Sequence, residues 1–138
     1  MNDDDALLQA ALAARERAHA PYSRFAVGAA LRDEQGRVHA GCNVENAAYP
    51  EGLCAEAVAL GQLVLAGGRR VVAAAVVGGG TQPVTPCGGC RQKLREFAAE
   101  GTPVLCASTS GARHWATLGE LLPAGFGPAQ LAAPDRAQ

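Results

Sequence analysis

The alternation of apolar and polar positions divides the first part of the chain into one helix and a pair of strands. Leucines and alanines between residues 4 and 20 follow a helical period, which predicts a helix capped by Asp4 or Asp5 and stopped by Pro21. Residues 25–31 and 38–44 have the alternation of strands and flank a turn sequence that ends in Gly36. An antiparallel hairpin is therefore predicted after the first helix.

Two helix-and-strand units are predicted after a loop at residues 45–53. The first contains a buried helix at residues 54–66 and an alanine-rich, β-branched strand at residues 71–77. The second contains a helix at residues 87–99 and a strand at residues 104–107. The predicted fold class is α/β, a three-layer α/β/α sandwich with a mixed sheet of about five strands. We expect one domain over residues 1–138, because 49% of the residues are apolar.

Composition and charge exclude several classes of partner. The net charge is -1 and basic residues form no long run, so we expect no binding to polymeric nucleic acid. We expect no membrane segment, because charged, glycine or proline residues interrupt every apolar stretch. Five cysteines and the absence of a cationic, apolar leader predict a cytoplasmic protein with reduced thiols. Cys42 and Cys106 fall in predicted strands and are interpreted as small buried hydrophobes.

Three cysteines and one glutamate fall at the starts of two predicted helices. Cys54 and Glu56 begin one helix, and Cys87 and Cys90 begin the other. The positive end of a helix favours thiolates, and three thiolates would hold Zn²⁺ with a fourth position left for water. Glu56 is the predicted general base because it can reach that water without being a ligand. The combination matches a known pattern of zinc deaminases, in which a ligand two residues before a glutamate precedes Pro-Cys-x-x-Cys.

Two other interpretations of the cysteines remain open at this point. Cys87 and Cys90 could form a redox pair, although this leaves Cys54 and Glu56 unexplained. A structural zinc site would need a fourth protein ligand, but none of the three histidines is beside a cysteine. These histidines are His19, His39 and His114.

The chain resembles the cytidine deaminase family, and specifically its small homotetrameric branch. Residues 22–31 (YSRFAVGAAL) are similar to the family's first strand motif, and residues 41–49 (GCNVENAAY) to its nucleoside-binding stretch. LLP at residues 121–123 and FGP at residues 126–128 are similar to its C-terminal signature. The resemblance covers nearly the whole sequence. It implies zinc-dependent hydrolysis of the 4-amino group of free cytidine or deoxycytidine, with release of ammonia, and a role in pyrimidine salvage.

The resemblance also implies a role for each substrate-binding residue. Asn43 and Glu45 would hydrogen-bond the ribose 3'-hydroxyl, and Phe25 would pack near the base. The backbone around Ala55 and Thr85 would bond the polar edge of the base. On the sequence alone, residues 43–45 would be an ordinary polar strand end and Phe25 would belong to the core.

The C-terminal segment is implied to act between subunits. In the tetrameric branch, the phenylalanine that matches Phe126 enters a neighbouring subunit's site and packs over the pyrimidine. The resemblance therefore implies a homotetramer with Phe126 acting in trans. On the sequence alone, Phe126 would anchor the chain end onto its own domain.

One position departs from the family's pattern. The tetrameric branch commonly has arginine directly after the catalytic glutamate, where this chain has Ala57. That arginine donates to the zinc thiolates, so its loss changes the charge balance of the site. Helix N-termini and backbone donors, or Arg24 or Arg91, are candidates to compensate.

Three other functions compete with cytidine deamination. A deaminase for another small aminated nucleoside, such as a blasticidin-like antibiotic, would use the same centre. A non-catalytic zinc protein on the same scaffold would have no use for Glu56. An editing deaminase for RNA or DNA conflicts with the net negative charge.

Overall fold

The computed structural model describes residues 2–132 and contains five α-helices and five strands in that range. The helices are α1 (Asp3–Arg15), α2 (Ala55–Leu65), α3 (Gly88–Arg95), α4 (Leu118–Leu121) and α5 (Pro128–Leu131). The strands are β1 (Val27–Asp33), β2 (Val38–Cys42), β3 (Val71–Gly78), β4 (Pro103–Ser108) and β5 (Arg113–Thr117). A 3-10 turn spans Tyr49–Glu51. Among the described residues, no helix has the length and apolarity needed to cross a membrane.

The five strands form one mixed sheet in the order β2-β1-β3-β4-β5. Only β3 and β4 run parallel, and the other neighbouring pairs are antiparallel. Successive residues of β3 face opposite sides, so Ala75 and Val77 pack with Leu7 and Ala11 of α1. Val76 belongs to the second core cluster, which includes residues of α2 and α3. Helices thus cover both faces, which confirms the predicted three-layer α/β/α sandwich.

The first helix differs from the prediction at both ends. Asn2, not Asp4 or Asp5, is the N-cap, and its side chain accepts a hydrogen bond from the Asp5 amide at 2.8 Å. The helix ends at Arg15 rather than near residue 20, because His19 forms a parallel bridge with Val44. A proline limits how far a helix can extend, but this strand pairing ends the helix earlier.

Other element boundaries moved where tertiary contacts compete with the local pattern. Helix α3 ends at Arg95 rather than residue 99, and the Phe97 carbonyl accepts from the Val71 amide of β3 at 2.8 Å. Strand β1 begins at Val27 rather than residue 25, and β2 ends at Cys42 rather than residue 44. The fifth strand, β5, is an edge strand at Arg113–Thr117 that the apolar pattern did not locate.

The start of α2 lies very close to strand β2. A Cβ atom on Gly41 would be 2.6 Å from the Ala55 carbonyl oxygen and 2.4 Å from the Ala59 amide nitrogen. Both atoms are backbone, so neither can rotate away. Gly41 therefore fixes the distance between the sheet and the first turn of α2, where Cys54 and Glu56 are placed.

We predict that Gly41→Ala lowers the free energy of unfolding by about 2–3 kcal/mol, because the new methyl group overlaps helix backbone. Gly61→Ala is the matched control, since Gly61 lies within α2 with no atom near the position of its missing Cβ. Gly61→Ala reduces the backbone freedom of the unfolded chain and so raises the free energy of unfolding by roughly 0.5–1 kcal/mol. Urea denaturation of both variants measures the difference, and similar values for the two would contradict this role of Gly41.

Candidate metal centre and substrate cleft

The three cysteines meet where the N-termini of α2 and α3 converge. Cys54 is the N-cap of α2, Cys87 is the N-cap of α3, and Cys90 lies in the first turn of α3. Both N-cap residues have extended backbone, which turns the incoming chain across the helix end. The three sulfur atoms lie within 4.8 Å of one another. The structure thus places the predicted ligands in one cluster.

The charges of this cluster oppose one another. Burial raises the pKa of the Cys54 thiol, and it raises that of Cys90 further, with the nearby Glu56 carboxylate adding to the effect. Burial also raises the pKa of Cys87, but bonds from the Cys90 backbone and from the neighbouring thiols outweigh it, so the pKa is lowered overall. Burial raises the pKa of Glu56, and its own backbone amide, the Cys90 thiol and the charge of Lys93 partly offset this. Ionising all four groups therefore needs a compensating cation.

The donor set fits zinc. Three thiolates are soft ligands, and tetrahedral coordination at about 2.3 Å puts two sulfurs about 3.8 Å apart. The Cys54 and Cys87 sulfurs are 3.9 Å apart. Within residues 2–132, this is the one group of three or more potential metal-ligating side chains, and it contains no histidine. His39 instead lies 2.8 Å from a buried oxygen of Asp33, and within the described part of the chain no histidine belongs to the cysteine cluster.

A cleft of about 200 Å³ opens beside the cysteines. Glu56 lies at its base in the first turn of α2, with only 6% of its surface exposed. Most of the residues predicted to bind substrate also line this cleft. The lining consists of Phe25, Val27, Asn43, Cys54, Ala55, Glu56, Val84, Thr85 and Cys87.

Asn43 joins the cleft to the start of β1. Its Oδ1 accepts from the Val27 amide at 2.9 Å, and its Nδ2 donates to the Phe25 carbonyl at 2.8 Å. An asparagine side chain has two donor hydrogens and two acceptor lone pairs. One of each holds the protein together, and one of each is left for a ligand in the cleft.

Glu45 lies in a neighbouring cleft of about 340 Å³, not in the one that contains Glu56. Its carboxylate accepts from the amides of Tyr22 and Ser23 at 2.9 and 3.1 Å, and also from the Ser23 hydroxyl. These bonds lower the pKa of Glu45, with Ser23 contributing most. The carboxylate is therefore ionised and fixed in place beside the exposed ring of Tyr49.

Phe126 lies outside the cleft of its own chain. Its side chain is 52% exposed and borders a separate cleft that also includes Gln92 and Leu131. The structure thus does not bring Phe126 together with the other predicted substrate-binding residues of the same chain.

The position of the family's arginine is occupied by Ala57, and neither of the two candidate replacements contacts the sulfurs. Arg91 directs its guanidinium to the carbonyls of Pro86 and Leu121, at 2.7 and 2.8 Å. Arg24 lines a different surface cleft. Among the described residues, the local positive partners of the cluster are therefore the helix N-termini, the backbone amides and Lys93, whose charge lowers the pKa of Glu56.

Three features of the cleft were missed by sequence reasoning. Val27 and Val84 contribute apolar walls, and Gly78 lies behind them. A Cβ atom on Gly78 would be 2.6 Å from Val84 Cγ2 and 3.0 Å from Phe25 Cζ. The alternation of β1 could have indicated Val27, but nothing local to residues 78–84 indicates that these side chains meet.

Comparison with known proteins agrees with this geometry. Residues 1–106 match the family model described as "Cytidine and deoxycytidylate deaminase zinc-binding region". The chain is 42% identical to a cytidine deaminase of Sporosarcina psychrophila, with 94% of this chain and 95% of the relative covered. It is 45% identical to a cytidine deaminase of Halalkalibacterium halodurans, with 90% and 94% covered.

A solved structure shows the same architecture. The crystal structure of cytidine deaminase from Burkholderia pseudomallei superposes with a TM-score of 0.86 at 45% identity, covering 91% of this chain and all of that one. The fold, the cysteine cluster and the similarity over nearly the whole length agree. This chain is a member of the cytidine and deoxycytidylate deaminase family.

Proposed function

We propose that this protein hydrolyses free cytidine or deoxycytidine to uridine or deoxyuridine and ammonia. The observation that carries the proposal is the buried Glu56 carboxylate in the same helix turn as one of three clustered cysteines. A non-catalytic zinc site has no need for a buried, ionisable group facing an open cleft. The relatives named cytidine deaminase, at 42% and 45% identity, favour the same reaction.

Cys54, Cys87 and Cys90 are the proposed zinc ligands. When bound, zinc supplies a Lewis acid that makes a water molecule nucleophilic at neutral pH. The two helix N-termini stabilise the thiolates, and the backbone of Ala55 lines the cleft beside them. Residues 1–138 would then form a single deaminase domain around this centre.

Glu56 is the proposed proton carrier. Its carboxylate accepts a proton from the attacking water and delivers it to N3 of the pyrimidine, which makes C4 electrophilic. The water oxygen bonds to C4, Glu56 then moves the proton of the new C4 hydroxyl to the amino group, and the C4–N4 bond breaks to leave ammonia and the C4 carbonyl of the product. One buried carboxylate can serve both steps only if it faces water and base from the same side.

Different residues are proposed to recognise the base and the sugar, with Glu45 in the neighbouring cleft. Phe25 and the two valines provide an apolar slot for a flat ring, and the backbone at Thr85 provides polar atoms for its edge. Asn43 and Glu45 would bind the ribose 3'-hydroxyl, which both donates and accepts. Asn43 has one donor and one acceptor to spare, and ionised Glu45 supplies a further acceptor.

The active enzyme is proposed to be a homotetramer. Phe126 is half exposed and outside its own cleft, which suits a ring that closes a neighbouring subunit's site and excludes water.

The five free cysteines suit a reducing, cytoplasmic setting, and salvage of free pyrimidine nucleosides is the proposed role.

We predict that Glu56→Gln lowers kcat for cytidine by a factor of about 10²–10⁴, because proton transfer is lost while the three thiol ligands remain. Zinc content measured by elemental analysis should stay unchanged. Glu100→Gln is the matched control at an exposed position and should keep the native kcat. A Glu56→Gln enzyme with near-native turnover would show that the proton carrier is another group.

We predict that Cys87→Ser removes tightly bound zinc, since a hydroxyl stays protonated where the thiol ionises readily. The native chain should contain one zinc per chain by elemental analysis after extensive dialysis. Cys42→Ser is the control, because Cys42 lies outside the cluster in β2 and should leave zinc content unchanged. Equal zinc contents of the two variants would contradict the proposed ligand set.

We predict that Glu45→Ala weakens inhibition by uridine about 10- to 100-fold while changing inhibition by uracil little, because only uridine has the sugar. Glu51→Ala, at a nearby exposed carboxylate, should leave both inhibition constants unchanged. A parallel loss for uridine and uracil after Glu45→Ala would assign Glu45 to the fold of residues 22–23 alone.

A further inference from the structure

The C-terminal segment at residues 121–126 is attached to helix α3 at both of its ends. Arg91 Nη1 donates to the Leu121 carbonyl at 2.8 Å, and Gln92 Nε2 donates to the Phe126 carbonyl at 2.8 Å. These two donors are consecutive residues of α3. The segment therefore begins and ends on neighbouring positions of one helix.

The backbone between the two attachments is tightly folded. Ala124 has a φ of 52°, which side-chain-bearing residues rarely adopt. A Cβ atom on Gly125 would be 2.8 Å from Leu122 Cδ2 and 3.1 Å from the Leu122 carbonyl oxygen. A strained residue and a crowded glycine persist only where the surrounding structure enforces them. The segment is thus shaped for one arrangement.

This arrangement leaves an aromatic ring exposed. Phe126 is 52% exposed even though its own carbonyl is bonded to Gln92. An exposed phenylalanine stabilises its own fold little, yet its main chain is fixed more firmly than a loop tip requires.

The same helix also contacts the residues that directly precede Cys87. Arg91 Nε donates to the Pro86 carbonyl at 2.7 Å, and its Nη2 donates to the Thr85 hydroxyl at 3.3 Å. Cys87 and Cys90 are the N-cap and first-turn residues of this helix. Helix α3 therefore connects two of the proposed metal ligands, the cleft residue Thr85 and the C-terminal segment.

We propose that Gln92, with Arg91 as a second anchor, is a positioning residue that holds Phe126 for use in a neighbouring subunit's cleft. The inference rests on the proposed function, in which Phe126 closes that cleft. Gln92 touches no substrate and acts only through the Phe126 main chain. Pre-ordering the ring removes the entropy cost of fixing the segment each time a substrate binds.

The test compares Gln92→Met with Gln62→Met. Methionine keeps the length and helix propensity of glutamine but cannot donate a hydrogen bond. Gln62 is an exposed residue of α2 whose side chain makes no hydrogen bond within residues 2–132, so its exchange is the matched control. We expect Gln92→Met to raise KM for cytidine about fivefold, the effect of one hydrogen bond, with zinc content and Tm unchanged. Hydrogen exchange of residues 122–127 should accelerate only in Gln92→Met.

A double-mutant cycle with Phe126→Ala identifies the route of the effect. If Gln92 acts through Phe126, then Gln92→Met should change KM no further in the Phe126→Ala background. Full additivity of the two changes, native KM in Gln92→Met, or native activity in Phe126→Ala would each overturn the proposal. A native enzyme without activity on cytidine would instead overturn the proposed function, while hydrogen exchange would still report whether Gln92 fixes the segment.

Discussion

The convergence of two helix N-termini at one end of the sheet is the constraint on which the rest of the structure depends. It places three sulfurs within 4.8 Å of one another and near the Glu56 carboxylate, where their charges repel unless a cation and the helix ends balance them. Burial makes this arrangement costly as a purely structural feature. The cost is reasonable for a centre that must bind a metal and hold one proton-carrying group beside it.

The packing of the helices on the sheet holds these helix ends in place. Gly41 allows α2 to approach β2, and Gly78 leaves room for Phe25 and Val84 over the end of β3. The two glycines lie in different strands, yet each sets a dimension of the same cleft. The shape of the cleft therefore depends on glycines at positions where other atoms come close to the strand backbone.

Much of this could be predicted from the sequence because the signals are local. The sequence pattern places Cys54 and Glu56 at one helix start and the second cysteine pair at another, and the apolar runs mark the buried strands β3 and β4. The early end of α1 could not be predicted, since it depends on pairing between His19 and Val44, residues 25 positions apart. Strand β5 has mostly exposed residues, so its pairing with β4 leaves no strong apolar pattern. The contacts of Arg91 also depend on the folded chain, so only the structure shows that it bonds main-chain carbonyls rather than the thiolates.

We propose that the cysteine cluster and Glu56 together form a zinc-dependent centre for cytidine deamination. The most direct measurement follows the ultraviolet absorbance of cytidine with the purified chain, before and after zinc is removed by a strong chelator and then restored. We predict conversion to uridine with equimolar ammonia, its loss on chelation and its recovery with added zinc. Undiminished conversion by protein shown to contain no metal, or no conversion by protein with one zinc per chain, would contradict it.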